Sequence, residues 1–158
     1  TEAMNLKRRV VENLRPALLD HFGLPTALEA YFDETCKRAG LECRTTIPDE
    51  ADPIPQALAI ALFRVGQESL TNIIRHAKAR RVELSFEVGP TGYHLSIGDD
   101  GVGMDPERAR SSHGLSGMRH RVVSLNGSFE IQSTPGKGTR LDVQVPFASP
   151  APASVTPA

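Results

Sequence analysis

Glu68, Asn72 and His76 stand four residues apart in the stretch from Phe63 to Lys78. At helical pitch that spacing stacks three polar side chains along a single stripe. A carboxylate and an amide one turn apart can offer oxygens to a hard cation such as Mg²⁺, which takes few protein ligands and completes its shell with phosphate and water. On spacing alone, a solvated polar face is the simpler reading. The glycine-rich segments downstream change that balance. Asp99-Asp100-Gly101-Val102-Gly103 follows an alternating stretch. An Asp at a strand end can accept a hydrogen bond from an exocyclic amine such as that of adenine, and glycines two and four residues on let backbone approach a flat ligand. Gly114-Leu115-Ser116-Gly117-Met118 opens a helix, whose free N–H groups and dipole suit phosphate. Gly136-Lys137-Gly138-Thr139 reads first as a hairpin turn. Each pattern is weak alone.

These groups need elements to hold them. Leu62, Val65, Leu70, Ile73, Ile74 and Ala77 recur at helical spacing, which predicts one long helix from about Gln56 to Ala77 with that side toward a core. A short amphipathic helix is expected over Asn5 to Leu14, disturbed at Arg15-Pro16. A second helix starts at Pro25 and stops at Gly40. Glu42 to Ile47 alternates as a strand. Arg81 to Val88 and Tyr93 to Gly98 form a hairpin about Gly89-Pro90-Thr91-Gly92. Pro106 to Ser112, carrying Arg108 and Arg110, reads as a mobile flap. Gly114 to Leu125 is a helix with Leu115, Met118, Val122 and Leu125 inward, closed by Asn126-Gly127. Ser128 to Ser133 and Thr139 to Val145 make a second hairpin. The sum is an α/β two-layer sandwich: a mixed, mostly antiparallel sheet with helices on one face.

The chain of 158 residues is 39% hydrophobic and 23% charged with net charge −1. That is enough for one domain with a core, and it gives no basic field for nucleic acid or a membrane surface. Cys36 and Cys43 lack metal-ligand spacing and read as free thiols in a reducing compartment. The chain opens on Thr1, as a piece of a longer protein would. Residues 1–24 are expected to be a helix end and linker, 25–147 the domain, and 148–158 a disordered tail.

Taken together, the Glu-x3-Asn helix, the strand with DxGxG, the flap, the Gly-Leu-x-Gly helix and the GxGT hairpin resemble the ATP-binding domain of sensor histidine kinases. That Bergerat-type fold is shared with gyrase-type ATPases, Hsp90-type chaperones and mismatch-repair ATPases. The resemblance spans about Pro53 to Pro146. Leu14-Arg15-Pro16, Leu19-Asp20, Gly23-Leu24 and Gln67-Glu68-Ser69-Leu70-Thr71-Asn72 are similar to kinases of the nitrate-sensor and desaturase-thermosensor type. The resemblance implies ATP and Mg²⁺ as cofactors. Asn72 would bind Mg²⁺ on the phosphates, and Glu68 would orient or deprotonate an acceptor imidazole. Arg75 and Lys78 would meet phosphate, with His76 near that region and His113 at the flap hinge. Asp99 would read the adenine amine in a pocket shaped by Gly101 and Gly103. Gly114, Leu115 and Gly117 would hold flap and phosphates, and Thr139 would close the adenine side. One departure is His120, where the family usually has Glu.

No histidine here precedes an acidic residue, since His21, His76, His94, His113 and His120 are followed by Phe, Ala, Leu, Gly and Arg. In the kinases that the chain resembles the phosphoacceptor is a His followed by an acidic residue on the first dimerisation helix, so the resemblance implies an acceptor upstream, on the dimerisation helices of a homodimeric parent. The implied partners are those helices and a response regulator, with no nucleic acid and no direct membrane contact. The location is cytoplasmic, and anchoring of the parent is left open. Two rivals stand beside this: an anti-sigma-factor-type serine kinase of the same fold, and a non-catalytic nucleotide-binding module.

Overall fold

Pro25 in the first turn and left-handed Gly40 past the last residue bound the first long helix, α1 (Leu24–Ala39). Its apolar side, Leu28 and Phe32 above all, is fully buried. The chain continues through β1 (Glu42–Thr46), α2 (Gln56–Asn72), a π-helical turn (Ile73–Ala77), β2 (Arg81–Val88) and β3 (Gly92–Asp99). Then follow α3 (Pro106–Ser111), α4 (His113–Val123), β4 (Ser128–Ser133) and β5 (Thr139–Pro146). This computed structural model describes residues 18–49 and 52–147. The expected helix over Asn5 to Leu14, the break at Arg15-Pro16 and the tail from 148 onward lie outside the described residues.

The five strands run in the order β1-β2-β3-β5-β4. β1 pairs parallel with β2, and the other pairs are antiparallel. Register places residues in rows across the helix-facing side. Phe86, Leu95, Val143 and Phe129 form one row, and Leu84, Ile97, Leu141 and Ile131 the next. The helices lay Leu28, Phe32, Leu62, Val65, Leu70, Met118 and Val122 on these rows in a single core.

Three expectations change. The central helix widens into a π turn after Asn72, which rotates the following residues. Ile73 stays buried while Ile74 is 43% exposed, although the sequence counted both inward. The flap is a short helix, capped by Asp105, whose carboxylate accepts the Arg108 N–H at 2.8 Å. Residues 18–22, within the stretch expected to be a helix end and linker, are helical. Cys36 and Cys43 are joined as a disulfide, with Cα atoms 6.1 Å apart. Their spacing excluded a metal site, but not this pairing: the Gly40 turn folds the end of α1 back beside β1.

α1 and α2 meet at Gly66, where an added Cβ would lie 2.8 Å from Leu28 Cδ2. Leu28 thus fills the room that the missing side chain leaves. Leu28→Ala should lower unfolding free energy by roughly 2–5 kcal/mol in urea titration, the range for emptying a closed core site.

Candidate functional site

The register that builds the core also builds the site. One row beyond Ile97, Leu141 and Ile131, the same face carries Asp99, Thr139 and Ser133. The apolar floor therefore ends in a polar edge. Above it lies a cavity of about 120 Å³. Ile73, Ile97, Leu141 and Ile131 form its floor and one side, and Met104, Leu115 and Met118 cover it. Asn72, His76, Asp99 and Thr139 supply its polar groups. An apolar slot with a few convergent polar groups is the usual form of a small-molecule site.

The loop after β3 is tied down by its own backbone. The Gly101 N–H donates to Asp99 Oδ1 at 2.8 Å, and the Val102 N–H donates to the Ala77 carbonyl at 2.7 Å. The Gly136 N–H reaches the Val102 carbonyl at 2.7 Å. The Met104 N–H donates to Ser133 Oγ at 2.7 Å, and that hydroxyl also lies 2.7 Å from Thr139 Oγ1. Asp100 faces the other way and accepts the N–H groups of Arg80 and Arg81 at 2.8 and 2.9 Å. Those two bonds hold its carboxyl below the usual range. Burial pushes the Asp99 carboxyl up, helped by the Asp100 charge and opposed by N–H groups of Gly101 and Thr139. Two N–H donors do not exhaust a carboxylate, which accepts about four bonds. Asp99 keeps acceptor capacity toward the slot.

Beyond Met118 a second, polar cavity of about 610 Å³ opens between α2 and α4. Glu68, His113, Gly114 and Gly117 line it. An added Cβ at Gly114 would lie 3.1 Å from Glu68 Oε1 and 3.7 Å from Asn72 Nδ2. The start of α4 thus sits against the Glu68–Asn72 stripe. Ser112 caps that helix, its hydroxyl accepting the Leu115 N–H. Not every expected residue arrives at a cavity. Arg75 and Lys78 are exposed on the π turn and its left-handed exit, outside both linings. Gly101 packs on Ala77 rather than on the slot. Sequence reasoning missed Asp100, Ser133 and Gly138 as fasteners, and the Met104 and Ile131 walls. Of these only Gly138 carried a signal, the glycine pair in its turn.

The fold is that of kinase ATP-binding domains. The histidine kinase domain of the blue-light activated kinase EL346 from Erythrobacter litoralis aligns with TM-score 0.67 at 19% identity, covering 78% of this chain and 60% of that one. Histidine kinase AdeS of Acinetobacter baumannii aligns with TM-score 0.62 at 16% identity, covering 92% and 81%. The sequence pattern described as "Histidine kinase-, DNA gyrase B-, and HSP90-like ATPase" matches residues 57–149, and the chain belongs to that family. It is 34% identical over 147 residues to sensor histidine kinase LiaS of Bacillus subtilis, covering 92% of this chain and 40% of the relative. It is also 34% identical to the kinase/phosphatase DegS of Brevibacillus brevis, covering 90% and 37%. The chain thus spans about 40% of the length of these curated relatives.

Two predictions follow from the loop geometry and from Asp99. An added methyl at Gly103, with φ 70°, meets the Thr134 carbonyl, whereas at Gly117 nothing lies within 4 Å. Gly103→Ala should cost about 1–3 kcal/mol and Gly117→Ala should gain up to about 1 kcal/mol, read by thermal unfolding of the ligand-free chain. For Asp99, a raised carboxyl contributes stability below its unfolded value and loses it as pH rises through the folded value. Asp99→Asn, which keeps an oxygen for the Gly101 N–H, should melt no lower than the parent at pH 7. Any advantage should vanish under acid.

Proposed function

We propose that this chain is the ATP-binding catalytic portion of a two-component sensor histidine kinase. It works on Mg-ATP and passes the γ-phosphoryl to a histidine on the dimerisation helices of a homodimeric parent, for relay to a response regulator. The observation that carries this reading is the convergence of Asn72, Asp99 and Thr139 on one apolar slot, with Met118 shared between that slot and the polar cavity that Glu68 lines. Family membership supports ATP as the ligand, and the relatives named as sensor kinases support the acceptor chemistry. A cytoplasmic location goes with this reading, since the domain would draw on cellular ATP. Among the described residues no helix is long and apolar enough to cross a membrane.

In this reading Asp99 accepts a hydrogen bond from the adenine amine, and the isoleucine and methionine walls sandwich the ring. Thr139, held by Ser133, closes that side. Gly101 and Gly103 keep the loop close, and Gly114, Leu115 and Gly117 present the start of α4 to the phosphates. Among the described residues no group of three or more His, Cys, Asp or Glu could hold a metal. A site offering the Asn72 amide oxygen fits Mg²⁺, which draws most of its ligands from phosphate and water. The ion supplies charge neutralisation on the phosphates. Glu68 orients the acceptor imidazole and takes its N–H proton as the nitrogen–phosphorus bond forms. The bond from γ-phosphorus to the bridging oxygen breaks at the same time, and ADP departs. Such catalysis is positioning and electrostatics rather than covalent chemistry by the protein.

Calorimetric titration with a non-hydrolysable ATP analogue, with and without Mg²⁺, tests the reading. Micromolar to sub-millimolar binding is expected, abolished in Asp99→Asn and made insensitive to Mg²⁺ in Asn72→Ala. Absence of binding to the parent chain would remove the kinase reading and favour an interaction module.

A further inference from the structure

The polar cavity holds cations that the reading above leaves unused. α2 presents Arg64, Gln67, Glu68 and Thr71 to it, and α4 presents Gly117 and Arg121. On each helix these residues recur at three- and four-residue intervals, so two faces look at each other across the opening. Arg64 Nη1 donates to the neutral Gln67 amide oxygen at 3.1 Å. Among the described residues the ion pairs involve neither Arg64 nor Arg121. Arg119 is engaged otherwise: its guanidinium lies 5.2 Å from the Phe129 ring centroid and donates to the Phe129 carbonyl. A guanidinium without an anionic partner, set in a cleft, is a planar, permanently charged receptor for a phosphoryl group.

Direction assigns that group. Arg64, Glu68 and Asn72 follow at four-residue intervals along α2, and His76 lies beyond them on the π turn. Asn72 and His76 belong to the apolar slot, and Glu68 and Arg64 to the polar cavity. Arg64 therefore lies two turns, about 12 Å, from Asn72 on the side away from Asp99. A nucleotide with its base on Asp99 runs its phosphates that way, and its last phosphoryl enters between α2 and α4. Arg75 and Lys78, the cations the sequence suggested for phosphate, are outside both linings.

We propose that Arg64 and Arg121 form the receptor for the terminal phosphoryl and make the site prefer a nucleoside triphosphate to the diphosphate it becomes. The proposal rests on the nucleotide reading of the slot. A contact made to the terminal group alone also disappears on transfer, which frees the product.

The test is calorimetric affinity of the 158-residue chain for a non-hydrolysable ATP analogue and for ADP, both with Mg²⁺. It compares the parent, Arg64→Ala, Arg64→Lys and Arg121→Ala, with melting temperature as a check on folding. Each alanine variant should bind the ATP analogue about tenfold or more weakly, the loss of one charge-assisted contact, while ADP affinity stays within about twofold. Arg64→Lys should recover part of the loss. Equal weakening toward both nucleotides, or an unchanged preference for the triphosphate, would overturn the receptor while leaving the nucleotide site standing. Failure of the parent to bind either nucleotide would instead strike the underlying reading, and the receptor with it.

Discussion

Three backbone-on-backbone contacts fix the loop that carries Asp99, and the rest of the site depends on them. Gly101 lies against the Ala77 carbonyl, Gly103 against the Thr134 carbonyl and Gly138 against the Asp99 carbonyl. A Cβ at any of the three would occupy space that a carbonyl already holds. The chain omits it there and gains hydrogen bonds in return, Val102 to Ala77 on one side and Gly136 to Val102 on the other. The loop is thereby clamped between the end of the central helix and the β4–β5 turn. The π turn belongs to the same device. It ends the helix so that the Ala77 carbonyl accepts from Val102 instead of continuing a helical ladder.

That clamp sets the electrostatics of the carboxylate it holds. Burial raises the Asp99 carboxyl, and the N–H groups of Gly101 and Thr139 oppose the rise without cancelling it. At exposed Asp100 the balance is the reverse, since two backbone donors outweigh the cost of desolvation and hold the carboxyl below the usual range. Neighbouring aspartates in one turn thus divide the work. Asp100 fastens the turn, and Asp99 takes a partly desolvated place at the edge of the slot. A partly desolvated acceptor discriminates against ligands lacking the matching donor, because burial without that bond is costly.

Much of this was legible in the residues. Alternation in Arg81–Val88 and Tyr93–Gly98, the Gly-Pro-Thr-Gly turn and the helical spacing of Leu62 to Leu70 are local signals, and local signals survive folding. The glycine pairs marked the loops that line the slot, although their contacts did not follow, since Gly138 meets Asp99 only through strand register. Ile74 misled because one widened turn shifts phase, and nothing in Ile-Ile-Arg-His-Ala announces it. The flap is a helix through an ordinary cap, Asp105 three residues before Arg108, a signal that competes with the charge of the segment. Spacing alone does not show the pairing of Cys36 and Cys43, which depends on how Gly40 turns the chain.

The division into an apolar slot and a polar cavity follows from one helix crossing both. Met118 borders each, and Ser69 beneath it is small enough for α4 to lie close, its hydroxyl 3.6 Å from the Met118 sulfur. On one side of that contact, strand rows supply Ile97, Leu141 and Ile131, so the space suits a flat apolar ring. On the other side the strands are absent, and two helix faces supply Glu68, Arg64 and Arg121, so the space suits charge. A ligand that is a ring at one end and an anion at the other matches this order only in one orientation. The stripe on α2 then acts as a ruler of about 6 Å per step, with Asn72 at the junction and Glu68 one step into the polar side. The order of the two spaces is thus set by where the sheet ends rather than by any single contact.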